Sequence, residues 1–311
     1  MRRIQYHRYG GPEVMKLEDF EPARPGAGQV SVCVRAAAAN PYDWKIRNGE
    51  MKMMSGRKFP QGVGHDFAGV VQAVGDGVTR FDVGDAVLGA AQIKGGGAFA
   101  EVVIAQEKGL AKKPAALSFE EAAAIPTIGV AALQALVGAG RLHAGHAVFV
   151  HGCLGGVGRA AVQIARAHGA TTVGGSCRRS AMQEARDLGV SPVVDFDGIP
   201  PTLTGRFDIV FDTVGTLPPT TARSLITRGG RIVDVVPSLV KFVKSTVPGP
   251  YKVVVAQHNA QDLDALAQAC ARGELRLPIA RTVPLGDAIA ALAELELNHT
   301  PRGGKLIITT M

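Results

Sequence analysis

The stretch that decides the fold is His151-Gly152-Cys153-Leu154-Gly155-Gly156-Val157-Gly158-Arg159-Ala160-Ala161-Val162-Gln163-Ile164-Ala165. Immediately before it, Ala147-Val148-Phe149-Val150 is a compact apolar run that reads as a strand closing at His151. Immediately after the glycines, residues 159–168 read as a helix, with Val157, Ala161, Ile164 and Ala165 on its apolar face. The glycine loop therefore lies where a strand hands over to a helix N-terminus. Backbone N–H groups are free there, and no Cβ blocks the approach of an anion.

Reading outward toward the C-terminus, the strand–helix alternation continues. Residues 171–174 and 193–196 read as strands, separated by a helix that Gly189 can cap. Residues 207–212 and 231–235 follow, joined by a helix expected to end at Gly229-Gly230, and 252–257 is a last apolar strand. Near-continuous apolar strands alternating with helices imply a parallel sheet covered on both faces, a doubly wound α/β unit. Reading outward toward the N-terminus, the texture changes. Residues 1–115 hold short extended segments, 30–35, 67–74, 86–88 and 98–104, punctuated by Gly and Pro, which predicts a barrel-like β unit. After Gly273 come one strand (279–283), one helix (285–297) and a final strand (305–310), too little for a domain and expected to return to the first. The expected division is 1–120 with 274–311, and 121–273.

Bulk properties narrow the function classes. A hydrophobic content of 46% with 20% charged residues describes an ordinary globular chain and excludes intrinsic disorder. The net charge of +7 comes from scattered pairs such as Arg2-Arg3 and Lys112-Lys113, and aromatics are only 5%. That is not the basic, aromatic-interleaved stripe of a nucleic-acid binder, so no nucleic-acid partner is expected and the charge suits an anionic cofactor. The four cysteines are far apart, without CxxC spacing. Arg2, Arg3, His7 and Arg8 break any N-terminal apolar region, and no apolar run approaches the ~18 residues of a membrane span. A cytoplasmic protein with reduced thiols and no membrane association is expected.

A glycine loop in this setting is the cradle of a dinucleotide pyrophosphate, although its spacing is GxxGGVG and not GxGxxG. The expected backbone contacts are Gly155, Gly156 and Val157. Where an NAD site would hold a carboxylate, the second strand runs into Ser176-Cys177-Arg178-Arg179, with no acid. Arg178 and Arg179 can pair with a ribose 2′-phosphate and Ser176 can donate to it, so NADPH is the expected cofactor.

With the loop in place, the rest of the chain resembles the medium-chain dehydrogenase/reductase superfamily, in particular its zinc-free quinone oxidoreductase branch. The resemblance is carried by Tyr9-Gly10-Gly11-Pro12-Glu13-Val14, by the segment Asn40 to Gly49, by Gly64-His65-Asp66-Phe67-Ala68-Gly69-Val70-Val71 with Val83-Gly84-Asp85-Ala86-Val87, by Phe207 to Gly215, and by Gly304-Lys305. It implies a GroES-like β-barrel catalytic domain plus a doubly wound Rossmann domain, with a cofactor cleft, and a homodimer or homotetramer. It also implies further cofactor contacts at Thr127, Phe196, Thr213, Val214, Val235 and Lys305. Zinc-dependent alcohol dehydrogenases share this architecture, but a catalytic zinc needs about three protein ligands. His65 stands at the family's ligand histidine, while Ala39-Asn40-Pro41 occupies the position of the ligand cysteine. No metal is expected, and His65 reads as a hydrogen-bonded turn residue.

The implied reaction is hydride delivery to a quinone or an α,β-unsaturated carbonyl, which places negative charge on the carbonyl oxygen and needs a donor beside it. The segment 40–49, read as an active-site loop, offers Lys45, Tyr42 and Asn40 as donors, with Asp43 as an orienting acceptor; Arg47 reads as a structural ion pair. Two departures from the family stand out. Ala131 replaces a common threonine, so the hydroxyl that would help seat the nicotinamide is absent unless Thr127 substitutes for it. Met51, Lys52, Met53 and Met54 fill the stretch where enoyl-thioester reductases carry a tyrosine, as either adaptable lining or packing. A tailoring reductase of one specific substrate and a weakly active NADPH-binding protein are the alternative readings.

Overall fold

The computed structural model describes residues 1–236, 241, 245–298 and 303–310. The chain divides into two compact units: unit 1 is Met1–Thr127, His258–Gly273 and Leu277–Met311, and unit 2 is Ile128–Gln257 with Glu274–Arg276.

The first part of unit 1 runs β1 (Arg2–Tyr6), β2 (Lys16–Asp19), β3 (Gln29–Ala38), α1 (Pro41–Arg47), α2 (Lys52–Ser55), β4 (Gln61–Gly62), β5 (Asp66–Val74), β6 (Ala86–Ala90), β7 (Val102–Gln106), β8 (Leu110–Lys112) and α3 (Phe119–Ala123). The helix α4 (Pro126–Leu133) begins in unit 1 and ends in unit 2, where there follow a π-helix (Gln134–Ala139), β9 (Ala147–His151), α5 (Gly156–Ala167), β10 (Thr172–Cys177), α6 (Met182–Asp187), β11 (Val193–Asp195), β12 (Phe207–Asp212), α7 (Pro219–Leu225), β13 (Ile226–Asp234) and β14 (Tyr251–Val253). The chain returns to unit 1 as α8 (Ala260–Ala271), β15 (Ile279–Pro284), α9 (Ala288–Asn298) and β16 (Lys305–Thr309).

Unit 1 is a β structure. Its larger sheet has the order β15-β16-β3-β5-β6-β8, with β7 also paired to β3, and a smaller sheet has the order β2-β1-β4. The core is closed by Ile4, Val32, Val34, Phe67, Val87, Phe99 and Leu110, all fully buried, and by Leu306 and Ile308 of β16. β16 lies antiparallel to β3, with Ile307 opposite Ala38. The C-terminal tail thus completes the sheet begun by the N-terminal residues.

Unit 2 is a six-stranded sheet in the order β11-β10-β9-β12-β13-β14, every neighbouring pair parallel. Counted within the unit this is the order 3-2-1-4-5-6 of a doubly wound dinucleotide fold, whose ligands sit outside the carboxyl ends of the strands where the order reverses. β9 is the strand at that reversal, and the glycine loop leaves its carboxyl end.

Four local expectations need correction. The segment read as an active-site loop is largely helix, because Asn40-Pro41 starts α1: Pro41 occupies its first position and the Asn40 N–H donates to Asp43 Oδ2 at 2.7 Å. The helix expected to end at Gly229-Gly230 ends at Leu225, and both glycines lie inside β13, where Gly229 (φ +89°) accommodates a register shift against β12. The expected strand 98–104 begins only at Val102, since Phe99 is committed to β1 and Val63 through backbone bonds at 2.8 and 2.9 Å. Finally, residues 121–127 and 258–273, expected with the parallel sheet, belong to unit 1, where α3 packs on β3 and β5 and α8 on β8.

Candidate active site

In unit 2 the residues around the glycine loop are organised by the loop backbone. Gly152 has φ +83°, and a Cβ on Gly158 would stand 2.1 Å from the Gly152 carbonyl oxygen. Only glycine permits α5 to start so close to β9. Gly155 and Gly156 are exposed, and no side chain caps the α5 N-terminus. The first-turn N–H groups of a twelve-residue helix are thus presented without a protein acceptor from a cap, which fits a dinucleotide pyrophosphate.

The strand ends around the loop form a hydrogen-bonded scaffold centred on His151. Its Nδ1 pairs with the Ser176 hydroxyl at 2.7 Å and its Nε2 with the Thr216 hydroxyl at 3.2 Å, while Phe196 packs edge-on at 4.9 Å. Burial holds the imidazole below its ordinary pKa, with Asp212 opposing. Ser176 is fully buried, so its hydroxyl serves this scaffold and does not face outward as a 2′-phosphate donor. Thr213 donates to the His151 carbonyl at 2.8 Å, and Val214 is exposed. Asp212 accepts the N–H groups of Val214, Gly215 and Leu217 at 2.8–3.0 Å, fixing the turn after β12. Asp234 does the same after β13, accepting from Val236 N at 2.7 Å, Tyr251 at 3.0 Å and Lys241 Nζ at 2.5 Å; the adjoining Val235 is half-buried. Arg178 and Arg179 are both exposed just beyond β10. Arg179 pairs with Asp195 at 3.1 Å, whereas Arg178 has no ion-pair partner among the described residues.

In unit 1 a buried polar cluster gathers residues widely separated in sequence. Asp66, fully buried, accepts from Asn40 Nδ2 at 3.0 Å and from Thr127, through its N–H at 3.0 Å and its hydroxyl at 2.6 Å. Lys305 Nζ donates to the Asn40 Oδ1 at 2.6 Å and the Ala39 carbonyl at 2.8 Å. Burial lowers the Lys305 pKa, with Asp66 and Asp43 opposing. Asp43 is driven far above the ordinary carboxylate range, first by burial and then by Asp66, although the Asn40 N–H and Lys305 oppose the shift. Asp43 Oδ1 has no hydrogen-bond partner among the described residues. Two expectations change here. Asn40 caps α1 and bridges Asp66 to Lys305, and Asp43 spends its Oδ2 on the Asn40 N–H, so Asn40 is not a free donor and Asp43 closes the cap. Thr127 and Lys305, expected at the cofactor, have their polar atoms engaged by Asp66, Asn40 and Ala39.

Beside this cluster three rings meet: His65 lies 5.5 Å from Tyr42 and 5.0 Å from His258. Burial, then the neighbouring His258, pull the His65 pKa down to about 4, and burial pushes Tyr42 up to about 12. Both are neutral at pH 7. His258 Nε2 is buried without a partner among the described residues. Lys45 is half-buried on α1 and makes no ion pair among the described residues. Arg47, 2% exposed, forms the expected structural ion pair, here with Glu296 of α9 at 2.6 Å. No group of three or more His, Cys, Asp or Glu suited to a metal occurs among the described residues. His151, Asp212, Asp234 and His258 were not legible as site residues. Asp212 and Asp234 do end apolar strands, a signal that was available, whereas nothing in the sequence marks His258.

Comparisons with known proteins agree with this architecture. Residues 26–115 match the family described as "Alcohol dehydrogenase GroES-like domain", and residues 188–308 the family described as "Zinc-binding dehydrogenase". The chain is 30% identical to a quinone oxidoreductase of Pseudomonas aeruginosa over 320 residues, covering 96% of this chain and 97% of that protein. It is 34% identical to the quinone oxidoreductase of Homo sapiens, covering 76% of this chain and 73% of that one. The solved structure of a quinone oxidoreductase from Coxiella burnetii superposes with a TM-score of 0.89 at 30% identity, covering 100% of this chain and 99% of that one. A GroES-like unit joined to a Rossmann sheet defines a medium-chain dehydrogenase/reductase, an oxidoreductase that uses a nicotinamide cofactor and a small-molecule substrate. Within that superfamily the chain belongs to the quinone oxidoreductase branch.

Proposed function

We propose that the chain is an NADPH-dependent, zinc-free reductase of quinones or other α,β-unsaturated carbonyls. The observation that carries the cofactor preference is the end of β10, where two exposed arginines and no carboxylate follow the strand and Arg178 has no ion-pair partner among the described residues. A guanidinium so placed binds a 2′-phosphate bidentately. Arg179 is 86% exposed in its pair with Asp195; an ion pair this wet is weak and yields readily to a phosphate. The backbone at Gly155, Gly156 and Val157 holds the pyrophosphate, and Thr213, Val214, Val235 and Phe196 border the same carboxyl edge.

When bound, the nicotinamide supplies the hydride. The chain must then place a donor at the oxygen where charge develops, and Lys45 and Tyr42 are side chains of α1 whose polar tips are not consumed by the buried network. Neutral His65 and His258 extend the ring surface of Tyr42, which suits a flat conjugated acceptor. The zinc-free reading rests on Ala39-Asn40-Pro41 at the position of the family's ligand cysteine.

The test is nicotinamide fluorescence titration. NADPH should bind more tightly than NADH by about 2–4 kcal/mol, the scale of one or two charge-assisted hydrogen bonds. Arg178→Ala/Arg179→Ala should remove most of that gap and leave NADH binding nearly unchanged. Equal affinities in the parent protein would refute the preference. Steady-state turnover over quinones, enones and aldehydes then identifies the acceptor class.

A further inference from the structure

Unit 2 carries a cavity of about 340 Å³ at the end of its sheet opposite the glycine loop, walled by the segment that leads into β9, by Asp208 at the start of β12 and by the first half of β13. β9 is five residues long, which separates the two ends by roughly 16 Å. Arg141, Arg228 and Arg231 line this cavity together with His143 and His146, and the acid among its lining residues is Asp208. Asp208 is already engaged: it accepts the Ala147 N–H at 2.9 Å and the Thr227 hydroxyl at 3.0 Å. Neither Arg141 nor Arg228 has an ion-pair partner among the described residues, and Arg231 makes one long hydrogen bond, to the Ala139 carbonyl at 3.4 Å. Three guanidiniums around one concavity repel one another unless an anion sits among them.

The local backbone gives the cavity its shape. Arg141 has φ +54° and is the one non-glycine residue with positive φ among those described. A residue with a Cβ adopts that conformation only when its surroundings impose it. It follows the π-helix Gln134–Ala139 by two residues, and π-turns concentrate at functional sites. The rings of His143 and His146 meet at a tilt of 45° with centroids 3.5 Å apart, and His146 Nδ1 is buried without a partner among the described residues. A buried ring nitrogen left unpaired is costly unless something supplies the missing bond.

We propose that this cavity is a second anion site, separate from the glycine loop, which takes a small phosphate-bearing molecule through Arg141, Arg228 and Arg231, with His146 as a hydrogen-bonding partner. Its size is at the small end of ligand pockets, ~300–1,000 Å³, and suits a phosphomonoester or diphosphate and not a dinucleotide. Guanidiniums grip phosphate oxygens in pairs, so a compact multivalent anion gains most from three of them.

The experiment is isothermal titration of the full chain with inorganic pyrophosphate, compared with sulfate at matched ionic strength. Pyrophosphate should bind at least tenfold more tightly than sulfate. Arg141→Asn/Arg228→Gln should weaken it at least tenfold; asparagine tolerates the left-handed backbone, and both side chains are exposed. The unfolding midpoint without anion verifies that the double variant is folded. Should it not be, Arg228→Gln alone carries the test, with at least a threefold loss. No pyrophosphate binding, affinity equal to that for sulfate, or binding indifferent to these substitutions would overturn the proposal.

Discussion

Lys45 is the residue to which the reaction most directly points. It leaves α1 with no competing carboxylate among the described residues. An ammonium that stabilises the developing oxyanion contributes ~2–4 kcal/mol, so Lys45→Met should lower kcat by ~10²–10³. If the ammonium holds the ribose, KM for NADPH rises and kcat is kept. A variant equal to the parent in both would pass the role to Tyr42. His65 makes a different prediction. Its pKa is held down to about 4 in the folded chain against 6.5 for an ordinary histidine, so between those values the unfolded chain binds a proton that the folded chain refuses. Its contribution to stability is full above pH 6.5 and is lost as the pH falls toward 4, by roughly 3 kcal/mol. His65→Phe keeps a ring and removes the proton. Urea unfolding at pH 7 and pH 4.5 should show the variant losing about 2–3 kcal/mol less than the parent. Parallel losses would show that His65 is not desolvated as described.

Among the elements, the β9–α5 turn has little freedom. A Cβ on Gly158 would stand 2.1 Å from the Gly152 carbonyl oxygen and 2.9 Å from the backbone of Cys153. Neither neighbour is a side chain that can swing away. Gly158→Ala must therefore push α5 off β9, costing about 1–3 kcal/mol in stability as overpacking does elsewhere. The dinucleotide Kd should rise at least tenfold, read by the same fluorescence titration. A variant that binds NADPH like the parent would mean that the pyrophosphate does not use this turn. α1 is held differently, by its cap and by Arg47, whose guanidinium reaches Glu296, the Gly10 carbonyl and Asn48. The short helix that carries Tyr42 and Lys45 is thus anchored at both ends.

For the molecule as a whole, the absence of the ligand cysteine makes a compositional prediction. Elemental analysis of the purified protein should find far less than one zinc per chain, and turnover should survive a chelator. About one zinc per chain, with activity lost on chelation, would restore the alcohol dehydrogenase reading. No helix among the described residues is long and apolar enough to cross a membrane. The resemblance to this branch further proposes a homodimer or homotetramer, which sedimentation velocity would resolve.

What the sequence determined by itself is whatever depends on neighbours along the chain. The apolar strands of unit 2, the glycine loop and the arginine pair after β10 are read from spacing, because a period of two or 3.6 residues and the lack of a Cβ are local properties. Even the return of β16 to unit 1 was legible, since a strand too small to stand alone must join a sheet. The pairings that assign roles were decided by tertiary structure. Thr127 belongs to Asp66, Ser176 to His151, and Lys305 to Asn40, 265 positions away. His258 reaches His65 only because α8 follows it back to unit 1. A polar side chain has several possible partners, and burial removes water as one of them. Which protein group then takes its place depends on what the fold has brought within hydrogen-bonding distance, and residue order does not contain that.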